Sequence, residues 1–124
     1  MMGTAALILV VDDDPVMREI TRVHLEGAGY RVALATSASD GLQKARALRP
    51  SVVVMDFAMP GGSGGEALRA LRIDDEIGNT PVLMVTAWSL AESQSSASGL
   101  AATWLQKPVM GDRLIQSVRD LLPA

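Results

Sequence analysis

The chain has 124 residues, no cysteine and a formal net charge of −3, which points to one domain spanning 1–124 and excludes disulfides and thiolate metal sites. Apolar residues make up 48% and aromatic residues only 3%, so the chain can bury a core, and that core must be aliphatic. The acidic balance opposes direct nucleic-acid binding, and no run approaches the ~20 apolar residues that span a bilayer; a soluble, cytoplasmic protein is expected, with no membrane or nucleic-acid partner.

The run Ala5-Ala6-Leu7-Ile8-Leu9-Val10-Val11 reads as a buried strand over Leu7–Val11, ending in Asp12-Asp13-Asp14. Asp14 can cap a helix whose first residue is Pro15. Val16, Ile20 and Val23 then form one apolar stripe, the expected packing face, and Gly27 and Gly29 supply the stop. A second strand over 32–35 precedes a helix opening near Ser37, with Leu42, Ala45 and Leu48 inward and Pro50 ending it. A third strand over 52–55 runs into Asp56, followed by a helix from about Gly64 through Leu68 and Leu71 to Gly78. A fourth strand over 82–85 leads to Thr86 and a serine-rich segment, 89–99, expected to be the least stable helix. The fifth strand, Thr103–Gln106, ends at Lys107-Pro108, and Leu114, Ile115, Val118, Leu121 and Leu122 mark the clearest amphipathic helix.

Strands alternating with helices predict an α/β, doubly wound, five-stranded parallel sheet with helices on both faces. Ligands in such folds bind beyond the carboxyl ends of the strands. Those ends carry Asp12-Asp13, Asp56, Thr86-Ala87 and Lys107-Pro108. Carboxylates gathered at one edge repel one another, and a divalent cation relieves the repulsion. Asp56 can act as a nucleophile toward a phosphoryl group. Mg²⁺ is the expected ion, because it favours oxygen ligands and shares them with phosphate. Lys107 can supply a second cation to the phosphate oxygens and Thr86 a hydroxyl hydrogen bond.

The stretches Leu7-Ile8-Leu9-Val10-Val11-Asp12-Asp13-Asp14-Pro15, Val53-Val54-Met55-Asp56-Phe57-Ala58-Met59-Pro60 with Gly64 after it, Val85-Thr86-Ala87, and Lys107-Pro108 occur in an order and at a spacing that resemble a response regulator receiver domain of two-component systems. The resemblance covers almost the whole chain. It implies the flavodoxin-like strand order 2-1-3-4-5 and a phosphorylation switch, not a turnover enzyme. A sensor histidine kinase or phosphotransfer protein would donate phosphate to Asp56. Asp13 and Asp56 would hold Mg²⁺ through side chains, Ala58 through its carbonyl and Asp12 largely through water. Lys107, ahead of a cis bond to Pro108, would contact the phosphoryl group. Thr86 would swing toward it and alter the face of helix four, strand five and helix five, which regulates a downstream effector protein or domain. A monomer or weak dimer is expected. Trp104 stands where the family has Tyr or Phe, Val109 where Phe is common, and Leu100 where Gly is usual. Ala58 and Trp88 occupy positions that, by the resemblance, govern loss of the phosphoryl group, and a long-lived aspartyl phosphate is the expectation.

Each residue also has a bland reading. Asp12 and Asp13 alone fit a solvated turn, Thr86 alone a helix cap, and Lys107 alone a surface lysine; convergence at one sheet edge outweighs these. His24 is the only histidine and reads as structural. Gly62-Ser63-Gly64-Gly65-Glu66-Ala67 matches a dinucleotide fingerprint, but it does not follow its strand directly and the next strand lacks a terminal acid. An aspartate-nucleophile phosphatase would want a second acid at Ala58. The acidic first loop would repel a flavin phosphate. A phosphate-independent adaptor predicts no loss of signalling in Asp56→Asn.

Overall fold

A computed structural model of the chain describes residues 5–59, 64–96 and 99–122. Among these, strands and helices alternate as β1 (Leu7–Val11), α1 (Pro15–Gly27), β2 (Arg31–Ala35), α2 (Ala38–Leu48), β3 (Val52–Asp56), α3 (Gly64–Arg72), β4 (Val82–Thr86), α4 (Leu90–Ser96), β5 (Thr103–Gln106) and α5 (Gly111–Leu121). The strands pair in parallel in the order β2-β1-β3-β4-β5. The order reverses between β1 and β3, which opens a crevice where their carboxyl ends meet. Pro60, the Gly62-Ser63 part of the fingerprint-like segment, Pro123-Ala124 and positions 97–98 of the expected fourth helix lie outside the described residues.

Side chains alternate across the sheet and sort the core into two layers. Ile8, Val10, Val52, Val54, Leu83 and Leu105 pack against Leu25 of α1 and against Leu114 and Val118 of α5. Leu9, Val11, Val53, Met55, Val82 and Met84 pack against Ala45 of α2 and Leu68 and Leu71 of α3. Both faces are covered, so the inner strands β1, β3 and β4 are nearly continuous aliphatic runs without polar alternation, whereas the edge strands carry exposed Arg31, Thr103 and Gln106. Each fully buried Val or Leu contributes roughly 1.5–3 kcal/mol of transfer free energy. The same alternation places the residues just past the strands. Asp12, Asp56 and Lys107 continue the register of Val10, Val54 and Leu105, on the α1/α5 side. Thr86 continues the register of Val82 and Met84, on the opposite side.

The caps form as the sequence indicates. Asp14 Oδ1 accepts hydrogen bonds from the Val16 and Met17 amides at 2.9 and 3.4 Å, and Ser37 Oγ accepts from Asp40 at 3.1 Å. The packing face of α1 is not the expected one. Val16, Ile20 and Val23 are 64%, 45% and 55% exposed, whereas Leu25 is fully buried. The helix carries two candidate stripes, and the one through Met17, Thr21 and Leu25 turns inward. Leu48 is also exposed: α2 ends beside it at Arg49, whose left-handed φ of 49° turns the chain toward β3. The third helix stops at Arg72, earlier than expected. Asp74 Oδ1 accepts the Glu76 and Ile77 amides at 2.9 and 3.1 Å, competing with helical pairing. The Arg72 guanidinium donates to the carbonyls of Gly78, Thr80 and Ala101 and closes the loops below β4 and β5.

Gly64 opens α3 with its amide donating to the Phe57 carbonyl at 2.6 Å. A Cβ there would stand 2.7 Å from both Asp56 O and Phe57 Cα, so any side chain pushes on the backbone that carries Asp56. Gly27, at the end of α1, has nothing within 4 Å of its would-be Cβ. Gly64→Ala is therefore expected to lower stability by about 1–3 kcal/mol through overpacking. Gly27→Ala is expected to raise it by about 0.5–1 kcal/mol. Urea midpoints measure both, and equal effects would contradict the close approach.

Candidate functional site

The carboxyl edge of β1 and β3 brings three acids together. Asp12, Asp13 and Asp56 each offer a carboxylate oxygen, and these oxygens lie within 4.8 Å of one another. Asp12 and Asp56 are only 6% and 9% exposed; Asp13 is open to solvent. The loop is tied down at several points. The Asp12 amide donates to the Ala35 carbonyl at 3.1 Å, and its Oδ1 accepts the Asp14 amide at 2.9 Å. Arg18, one turn into α1, donates through Nη1 to the Asp12 carbonyl at 2.8 Å. From the far side, Lys107 Nζ reaches Asp56 Oδ1 at 3.4 Å. The Lys107 amide donates to the Thr86 carbonyl at 2.6 Å, so the end of β4 holds the lysine in place, and the Lys107–Pro108 bond is cis. The Ala58 amide donates to Asp56 Oδ1 at 3.4 Å.

This arrangement coincides with a match to the family model of the response regulator receiver domain over residues 8–119. The chain belongs to that family. It is 35% identical over 118 residues to Protein PilH of Pseudomonas aeruginosa, covering 94% of this chain and 98% of that protein. It is 34% identical to the DNA-binding dual master transcriptional regulator RpaA of Synechocystis sp., covering 93% of this chain but 48% of RpaA. The receiver domain thus spans about half the length of some relatives it matches and nearly all of others. Among solved structures, the chemotaxis protein CheY4 of Vibrio cholerae superposes with a TM-score of 0.89 at 32% identity, covering 96% of this chain and 100% of that one. Membership carries a phosphoacceptor signalling role in two-component systems and a regulatory, not classically enzymatic, activity.

The electrostatics of the receiver site follow from crowding. Burial pushes the Asp56 carboxyl above the ordinary carboxylate value; Lys107 opposes the shift and Asp13 adds to it. Burial likewise raises Asp12, opposed by the Asp14 amide and reinforced by Asp56. One ammonium therefore faces three carboxylates. The donor set is all oxygen, two of the groups are held out of water, and their charges are under-compensated. That chemistry fits a hard divalent cation such as Mg²⁺.

Thr86 reaches the same edge but not the same face. It is fully buried; its hydroxyl pairs with Ser93 Oγ of α4 at 2.9 Å and accepts the Trp88 amide at 3.0 Å. Sequence reasoning thus placed Asp12, Asp13, Asp56, Ala58 and Lys107 in one group, and Thr86 stands behind it. It missed Arg18 and Ser93. Arg18 carries no motif, and Ser93 sits in a serine-rich stretch with nothing to distinguish it. Trp88 is half exposed and packs edge-on against Phe57 with ring centres 5.5 Å apart. Trp104 meets the same Phe57 ring at 5.4 Å, so its larger indole is accommodated by lying across a neighbour. His24 packs its ring against Gly111, where a Cβ would come within 2.5 Å, in keeping with a structural role.

The raised carboxyls set a pH dependence. The folded chain binds more protons than the unfolded one between the ordinary carboxylate range and the raised values. Their contribution to stability therefore falls as pH rises through those values. Asp12→Asn, which keeps an oxygen for the Asp14 amide, is expected to raise the metal-free melting midpoint by several degrees at neutral pH, with the advantage shrinking on acidification. An unchanged or lower midpoint at neutral pH would contradict this account of the cluster.

Proposed function

We propose that Asp56 of this receiver domain accepts a phosphoryl group from a phosphohistidine in a Mg²⁺-dependent reaction. The modified domain then presents an altered α4–β5–α5 face to a downstream protein or domain. The observation that carries the reading is the approach of Lys107 to Asp56 across a cluster of three acids. An Asp56 oxygen attacks phosphorus, the P–N bond of the donor breaks, and its electron pair leaves with the imidazole. Asp12, Asp13, Asp56 and the Ala58 carbonyl would hold Mg²⁺, which when bound neutralises phosphate oxygens and supports phosphoryl transfer. Lys107 balances the charge that arrives with the phosphoryl group, and the Ala58 amide steadies Asp56.

A protein donor is supported by the outer face of α1. Val16, Ile20 and Val23 stand exposed on it, beginning directly after the Asp13-Asp14-Pro15 turn. A sensor kinase or phosphotransfer protein could cover this stripe while its histidine faces Asp56.

Incubation with a small-molecule phosphodonor and Mg²⁺ tests the reading. Intact mass should rise by one phosphoryl group, with the label mapped to Asp56 and absent in Asp56→Asn or after chelation. Ala58 brings no side-chain group to orient an attacking water, so decay should take minutes and not seconds. Label elsewhere, or label persisting in Asp56→Asn, would overturn the assignment; loss within seconds would overturn the lifetime.

A further inference from the structure

α4 is a helix with little to hold it. Of the side chains described on it, Ala91, Glu92, Gln94 and Ser95 are exposed, Leu90 is half-buried and only Ser93 is buried. Its deepest contact with the sheet is a polar one: Ser93 Oγ against Thr86 Oγ1 at 2.9 Å, both residues 0% exposed. The Ser93 amide is itself fixed by the Ser89 carbonyl at 3.1 Å. A hydrogen bond sealed from water in this way gains from the low local dielectric, and breaking it leaves buried polar groups to be satisfied again.

Either hydroxyl can donate in this pair; what matters is the side of the sheet on which it lies. Thr86 lies in the register of Met84, on the side of the sheet away from Asp56, which continues the register of Val54. A phosphoryl oxygen only accepts, so Thr86 must donate to bind one, and a threonine hydroxyl has a single proton. To serve a group on Asp56, the side chain must rotate off the α4 side of the sheet and bring that proton with it.

We infer that Ser93 is a positioning residue: it holds the Thr86 hydroxyl on α4 and away from Asp56, so that a phosphoryl group on Asp56 and Ser93 compete for the same hydroxyl. The proposal rests on the phosphoacceptor reading of Asp56. Its consequence is specific to this chain. When Thr86 turns toward the phosphoryl group, Ser93, the one buried side chain among those described on α4, loses its hydrogen bond to β4. Ser93 sets how far the resting state is favoured, while Mg²⁺ binding, on the other face, is indifferent to it.

The test is a titration of the whole chain with beryllofluoride, an aspartyl-phosphate mimic, at saturating Mg²⁺, followed by the fluorescence of Trp88 and Trp104. A Mg²⁺ titration alone runs in parallel. Ser93→Ala is expected to bind beryllofluoride about three- to tenfold more tightly than the wild type, the worth of one net hydrogen bond, with Mg²⁺ affinity unchanged. Ser93→Cys, which fills the site but pairs weakly, should shift in the same direction and guards against a cavity effect or a misfolded Ser93→Ala. In a Thr86→Val background the effect of Ser93→Ala should vanish, as a double-mutant cycle requires when the two residues act through one bond. Equal or weaker beryllofluoride binding in the Ser93 variants would overturn the proposal, as would a parallel change in Mg²⁺ affinity or an undiminished effect in Thr86→Val. If the wild type itself gives no saturable response, the phosphoacceptor reading fails and the latch falls with it.

Discussion

Three carboxylates with oxygens within 4.8 Å of one another, and the ammonium of Lys107 against them, are the constraint on which the rest of this receiver domain turns. The sheet imposes the crowding. β1 and β3 pair in register from Ile8↔Val52 to Val11↔Met55, so Asp12 and Asp56 emerge side by side wherever the hydrophobic runs are aligned. Neither can retreat, because the aliphatic core beneath them fixes both strands. The strain is electrostatic, and it is what makes the edge receptive to a cation and to a group that shares oxygens with one.

Supports around the cluster serve rigidity. Arg18 holds the Asp12 carbonyl, Ala35 the Asp12 amide, and the Thr86 carbonyl the Lys107 amide. Gly64 lets α3 begin directly against the Asp56 backbone. Such preorganisation suits phosphoryl transfer, where positioning and charge neutralisation do most of the catalysis. The other side of the same edge is built differently. Thr86 and Ser93 join β4 to a short helix through hydroxyls, and Trp88, Phe57 and Trp104 stack edge to face nearby. A fixed site on one face and a lightly held helix on the other are the two parts a switch needs.

The inner strands were legible in the sequence because buried parallel strands are short aliphatic runs, and Leu7–Val11, ending in a cluster of acids, is such a run. The acids were legible because Asp12 and Asp56 end such runs with Asp13 beside them, and Lys107 because it follows the last strand at the same edge. α1 was not: with Val16, Met17, Ile20, Val23 and Leu25 on one helix, periodicity offers two stripes, and only the packing of Leu25 beneath Tyr30 and β1 selects between them. Leu48 misled for a related reason, since periodicity does not say where a helix outruns its neighbour. Ser93 was invisible because a buried serine in a serine-rich helix differs from its neighbours only by what lies opposite it. The opposed faces of Thr86 and Asp56 were implicit in the period-two rule and needed the register to become explicit.

The account depends most directly on the carboxylates being a shared, strained cation site. Calorimetric titration of the wild-type chain with Mg²⁺, run at about pH 5 in two buffers of different ionisation enthalpy, measures this, because that pH lies just above the ordinary carboxylate range. Saturable binding with net proton release is predicted, with the affinity collapsing in Asp13→Asn. Binding that releases no protons, or that Asp13→Asn leaves untouched, would contradict it.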